Sequence, residues 1–206
     1  MNITASQVKD LRDRTGVGMM DCKQALQEAD GDIDEAIKVL RKLGKAKVAK
    51  RAEREASEGI VEAYVHTGGK IAVLVEVNCE TDFVARSDEF KALAHDIALH
   101  IAASNPRFIR TGEVDEKTLA DEREVYLSQA QAEGKPAEIA ERIVEGKMSR
   151  FFSESVLYEQ PFIREPDQTV SELIADAVNR IGENIVISRF IRFGLGDGDA
   201  RIVVSK

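Results

Sequence analysis

Three histidines (His66, His95, His100) and two cysteines (Cys22, Cys79) are the side chains with which this sequence could hold a transition metal or build a nucleophile. Their spacing serves neither purpose. His95 and His100 stand five apart, which does not align them on a helix as an i,i+4 pair would. Neither cysteine lies in a CxxC pair, and the ligand spacings of closed zinc sites are missing. The patterns GxSxG, HExxH, GxxxxGK[ST] and GxGxxG are all absent. Gly16 and Gly18 do not follow a strand pattern, so they make no phosphate-binding turn. Two cysteines in 206 residues form no disulfide framework, and they read as reduced, buried thiols. No cofactor is expected.

The unusual local chemistry is Asn78-Cys79-Glu80-Thr81-Asp82-Phe83-Val84-Ala85-Arg86. It sets a carboxylate beside a large aromatic ring where a strand pattern gives way to a helix pattern. Two readings compete. In the first, Asp82 caps a helix and Phe83 joins the core. In the second, the segment projects and Phe83 is a hydrophobic anchor for a partner's pocket. Ser87 already offers a cap for the helix that follows, which frees Asp82 for other work.

Charge narrows the partners. Residues 1–55 hold 12 basic and 10 acidic side chains, a net of +2; the remainder holds 17 and 27, a net of −10. An acidic body is a poor match for phosphate backbones, so no direct nucleic-acid contact is expected. Trp is absent and aromatics make up 5%, which leaves little for base stacking. The run Ile71 to Val77 includes Glu76 and is too short for a bilayer, and the first residues lack a cationic segment followed by an apolar one. A cytoplasmic protein without a membrane partner is the expectation.

The elements that must position these residues follow from caps and periodicity. Thr4 and Gln7 form a capping box, with Val8 and Leu11 on one apolar face. Thr15-Gly16-Val17-Gly18 breaks that helix. A second helix is predicted from about Met19 to Ala29. A third starts at Asp32 and Glu35, carries Ala36, Ile37 and Leu40, and is expected to stop at Gly44. Residues 45–55 read as a solvated basic linker helix. Gly59–His66, a Thr67-Gly68-Gly69 turn and Lys70–Asn78 predict a hairpin, with Ile71, Val73, Val75 and Val77 alternating onto one face. Phe90, Leu93, Ala94, Ile97, Ala98 and Ile101 mark a long helix ended by Asn105-Pro106. Helices are predicted over 115–131 and from Pro136, with Ile139, Ala140, Ile143 and Val144 inside, and a short one over Met148 to Leu157. Thr169 and Glu172 cap the last helix and Gly182 closes it. Residues 184–193 alternate as a third strand, and the chain from about 195 is expected to be loose. The fold class is α+β: a three-helix module over 1–54, then a core over 55–206 with a small antiparallel sheet of about three strands packed with helices.

Two stretches carry a resemblance. Leu11-Arg12-Asp13-Arg14-Thr15-Gly16-Val17-Gly18-Met19-Met20-Asp21-Cys22-Lys23-Gln24-Ala25-Leu26 resembles the N-terminal signature of the elongation factor Ts family. Glu76 to Arg86 resembles its core signature, and Ile181-Gly182-Glu183-Asn184-Ile185 sits where that family carries its last core strand. The resemblance implies a ubiquitin-associated-like N-terminal domain that docks on elongation factor Tu through Arg12, Met19, Met20 and Lys23. It implies that Thr81, Asp82, Phe83 and Val84 displace Mg²⁺ from that partner, so that GDP leaves and GTP can bind. Such a protein is an exchange factor without covalent chemistry of its own. Ser87 departs from the Asn that many members carry. The chain has no room for the duplicated core or inserted coiled coil of longer members, and compact members can pair their sheets into a 2:2 assembly with Tu. A ribosome- or nascent-chain-associated module built on the same three helices is the alternative, and a thiol or metal enzyme is a third.

Overall fold

Short polar side chains start most of the helices. The computed structural model, which describes residues 3–198 and 202–205, begins with helix α1 (Ala5–Thr15), whose Thr4–Gln7 capping box forms in full. α1 ends at Gly16 in a left-handed conformation (φ 68°), and α2 (Met19–Glu28) and α3 (Ile33–Arg51, capped by Asp32) follow. Val8, Leu11, Cys22, Ala25, Leu26, Ala36 and Leu40 form one buried cluster, so these three helices have a core of their own.

Gly44 does not end α3. The helix runs seven residues further to Arg51 and absorbs most of the basic stretch read as a linker. The reason lies outside the helix. A Cβ on Gly44 would sit 2.8 Å from Asn179 Nδ2, so the glycine permits close approach of another helix rather than a stop.

Strands β1 (Glu58–Val65) and β2 (Ile71–Cys79) form the expected hairpin, and β5 (Val186–Gly194) pairs antiparallel on the far side of β2. Between β2 and β5 the chain builds α4 (Asp82–Ala85), α5 (Asp88–Ser104), α6 (Glu116–Ala132), α7 (Ala137–Ser155), a small hairpin of β3 (Pro161–Phe162) and β4 (Glu165–Thr169), and α8 (Val170–Ile181). The fold class is α+β, as expected.

One face of the sheet is the core. Val73, Val75 and Val77 of β2 pack with Ile187 and Phe190 of β5, with Phe90, Leu93, Ile97 and Ile101 of α5, and with Val170, Ile174 and Val178 of α8. All six stripe residues of α5 are buried. Gly59 faces Asn78 in the ladder with φ 150°, and a Cβ there would run into the Val77 carbonyl. His100 is buried on α5; its Nε2 lies 2.9 Å from Gln160 Oε1, and its Nδ1 accepts from the Ile163 amide at 3.2 Å. That geometry requires a neutral ring, and burial lowers its pKa from the ordinary 6.5.

Three further expectations are corrected. Pro136 is the N-cap of α7 rather than its first helical residue, and Ile139 is exposed while Ala140 and Val144 are buried. Met148 does not open a new helix, because α7 continues to Ser155 and buries Met148 and Phe151 against Val114 and Val156. The stretch from about 195 is not simply loose. Ile202–Val204 forms β6, which pairs with Arg189–Ile191 and makes a fourth strand in the order β1-β2-β5-β6. The Ser205 hydroxyl donates to Glu113 at 2.6 Å and ties that strand down. Residues 199–201 and 206 of that stretch lie outside the described residues.

Candidate protein-binding segments

The Thr81–Val84 segment satisfies part of each competing reading. It is a single helical turn, and its N-cap is Thr81 rather than Asp82: the Thr81 hydroxyl accepts from the Val84 amide at 3.4 Å. Val84 and Ala85 are buried, which roots the turn in the core. Phe83 points the other way and is 82% exposed. A core role for Phe83 is thereby excluded. Asp82 is exposed and pairs with Arg86 one turn later at 2.7 Å, an ion pair in full solvent and therefore weak. The Ser87 hydroxyl accepts from the Phe90 amide and caps α5, so one cap is not asked to serve two helices.

The second set sits where α1 meets α2. Arg12 lies in the last turn of α1; Met19 and Met20 open α2, and Lys23 follows one turn on. All four are exposed, Met20 at 76% and Met19 at 41%. The turn beneath them is fixed by Thr15, whose hydroxyl donates to the Leu11 carbonyl at 2.7 Å, and by the Cys22 thiol, which donates to the Val17 carbonyl at 3.4 Å. Unbranched methionines exposed on a rigid turn suit an adaptable apolar contact.

The two sets stand on separate elements joined through α3. Lys47 pairs with Asp21 at 2.6 Å, the Arg51 guanidinium donates to the Val178 carbonyl at 2.9 Å, and Arg54 reaches Glu80 at 3.4 Å. Glu183, which sequence reasoning passed over, accepts from the Thr81 amide and hydroxyl, and Glu80 accepts from the Asn184 amide next to it. The Ile181–Ile185 match marked that stretch without saying what it touches.

Both thiols are free, buried and held toward their protonated forms. Burial, then the charge of Glu183, pushes the Cys79 pKa up to about 11, and burial raises that of Cys22 as well. No group of three or more metal-ligating side chains comes together among the described residues. Nor is any helix among them long and apolar enough to cross a membrane.

Comparison with known proteins gives this geometry a context. The family model described as Elongation factor TS matches residues 2–197. A relative from Koribacter versatilis, named Elongation factor Ts, is 55% identical over 206 residues, covering 100% of this chain and 94% of its own. One of the same name from Carboxydothermus hydrogenoformans is 55% identical over 199 residues, 97% of this chain and 92% of its own. Another from Thermosipho melanesiensis is 52% identical over 195 residues, 95% of this chain and 100% of its own. An α+β core joined to a three-helix module, with these likenesses along its whole length, places the chain among the translation elongation factors. Within that class it belongs to the elongation factor Ts family.

Proposed function

We propose that this protein binds elongation factor Tu in its GDP form, displaces the Mg²⁺ ion that helps to hold the nucleotide, and so promotes GDP release and GTP uptake. The exposed phenyl ring of Phe83 on a turn rooted in the core carries the reading. A solvated aromatic costs free energy unless a partner covers it, and rigid aromatic anchors supply much of the binding energy at interfaces. Mg²⁺ bridges the phosphates and the partner, neutralising charge. A wedge that moves the groups supporting the ion weakens GDP without occupying the nucleotide site. Asp82 adds a carboxylate beside that wedge, and Arg12, Met19, Met20 and Lys23 supply a separate docking surface. By linkage, a factor that binds nucleotide-free Tu more tightly is itself released by nucleotide, so excess GTP drives turnover. No covalent step is asked of the factor.

A second copy is the occupant proposed for the open sheet face. Val61, Val65, Leu74, Phe193, Ile202 and Val204 are all more than two-fifths exposed there, and register sets Leu74 beside Ile191 and Ile191 beside Ile202. Packing two such faces gives a sandwich and a 2:2 assembly with Tu. Light scattering separates the cases: a dimer supports the sandwich, and a monomer at micromolar concentration refutes it.

Release of a fluorescent GDP analogue from purified Tu tests the function. Catalytic amounts of this protein accelerate release, and Asp82→Ala slows it. No acceleration with active Tu overturns the proposal. Co-sedimentation with polysomes lacking Tu favours the nascent-chain alternative instead.

A further inference from the structure

We infer that Glu183 is a positioning residue for exchange: its carboxylate fixes the turn that aims Phe83 at the partner. The inference rests on the functional reading above. The β1–β2 ladder ends at Cys79 and the β2–β5 ladder at Asn78, so the amides of Glu80 and Thr81 lie beyond strand pairing. Both donate to Glu183 Oε2, at 3.0 and 3.1 Å. The Thr81 hydroxyl donates to Glu183 Oε1 at 2.7 Å. One carboxylate thus takes three donors from two consecutive residues, and hydrogen bonds to an ionised acceptor are the strong kind.

The third of these bonds is the instructive one. A hydroxyl has one proton to give and lone pairs to accept with. By giving its proton to Glu183, Thr81 is left with a lone pair facing the Val84 amide, the bond that caps the turn carrying Phe83. Without Glu183 the hydroxyl is free to rotate and the cap loses its orientation.

Glu183 is itself held. It follows Gly182, which ends α8 in a left-handed conformation (φ 91°). Glu80 returns the contact by accepting from the Asn184 amide at 2.6 Å. The Asn184 side chain donates to the Arg54 carbonyl at 2.7 Å, and Arg54 Nη1 lies 3.4 Å from both oxygens of Glu80. Each glutamate therefore caps the backbone beside the other, with a guanidinium moderating their charge.

The test compares wild type with Glu183→Ala, Glu183→Gln and Phe83→Ala. Release of a fluorescent GDP analogue from Tu is measured as a function of factor concentration. Amide hydrogen exchange and thermal unfolding are read on the factor alone. Misplacing a reacting element by about an ångström can cost on the order of a hundredfold. Glu183→Ala is expected to lower the saturating rate by at least about tenfold. Its half-saturating concentration changes little, because the α1–α2 surface is untouched. Glu183→Gln keeps most of the rate, since its amide oxygen can accept both N–H groups and its NH₂ can donate to the Thr81 hydroxyl. Exchange at the Glu80 and Thr81 amides accelerates in the alanine variant alone. If that variant fails to fold, Thr81→Val removes the same cap and is expected to lower the saturating rate in the same way. A Glu183→Ala or Thr81→Val plateau equal to wild type, beside a crippled Phe83→Ala, overturns this inference and spares the functional reading. A fall in Gln as deep as in Ala overturns it too, because the hydrogen-bond geometry then is not what matters. Wild type without effect on active Tu overturns the functional reading itself.

Discussion

Replacing Phe83 by alanine separates the fold from its use more sharply than any other single change. Full burial of a phenylalanine side chain is worth about 1.5–3 kcal/mol. Phe83 is 82% exposed, so about a fifth of that, roughly 0.3–0.5 kcal/mol, is at stake in the isolated protein. For a chain of this length the melting temperature then falls by only about 1–2 °C. An aromatic anchor at an interface loses about 2–4 kcal/mol on truncation. That corresponds to about a 30- to 1,000-fold loss in the efficiency of GDP release. Val84→Ala is the mirror experiment. Val84 is 8% exposed, and deleting its methyls with the cavity they leave costs about 2 kcal/mol of stability. Unfolding curves and release kinetics on both variants decide the matter. A Phe83→Ala protein that melts several degrees early, or that exchanges nucleotide like wild type, refutes the assignment of the ring to a partner.

Two further outcomes are expected. Gly59→Ala should cost about 2 kcal/mol or more, because φ 150° and the Val77 carbonyl both oppose a Cβ; an unchanged urea midpoint would contradict the tight ladder contact. Stability should also fall as pH drops below 6.5. The unfolded state takes a proton on His100 there while the folded state resists it, so this contribution is complete above 6.5 and is lost on acidification. Urea unfolding at pH 7.5 and 5 should show a steeper loss in wild type than in His100→Gln, by up to about 2 kcal/mol; equal slopes would mean the ring is not buried neutral.

What could be read directly from the residues was local. The Thr4–Gln7 and Thr169–Glu172 boxes, the Ser87 cap and the stripe from Phe90 to Ile101 each involve neighbours within a few turns, and each formed where expected. Gly44 misled because its local meaning, a helix stop, is overruled by the close approach of Asn179, 135 residues later in the chain. Met148 misled because nothing nearby shows that Val114 and Val156 would bury it on a continuous helix. β6 was hidden because three residues after a Gly/Asp stretch carry too little alternation to stand out. At the candidate site, Phe83 beside Asp82 was visible from residue types alone. Its direction was not, since exposure depends on Val84 and Ala85 taking the inward positions of the turn. Glu183 was invisible as a partner of Thr81, because no periodicity links residues 102 apart.

That separation gives the polypeptide an order of maturation. Chains leave the ribosome N-terminal end first, and units fold as they emerge. The first three helices own their buried cluster and are complete once Arg51 has appeared. Phe83 is synthesised soon after, yet the carboxylate that steadies its turn arrives a hundred residues later. On the proposed reading, a product cut short before Glu183 would keep the three-helix module whole and carry the aromatic ring on a turn without its steadying carboxylate.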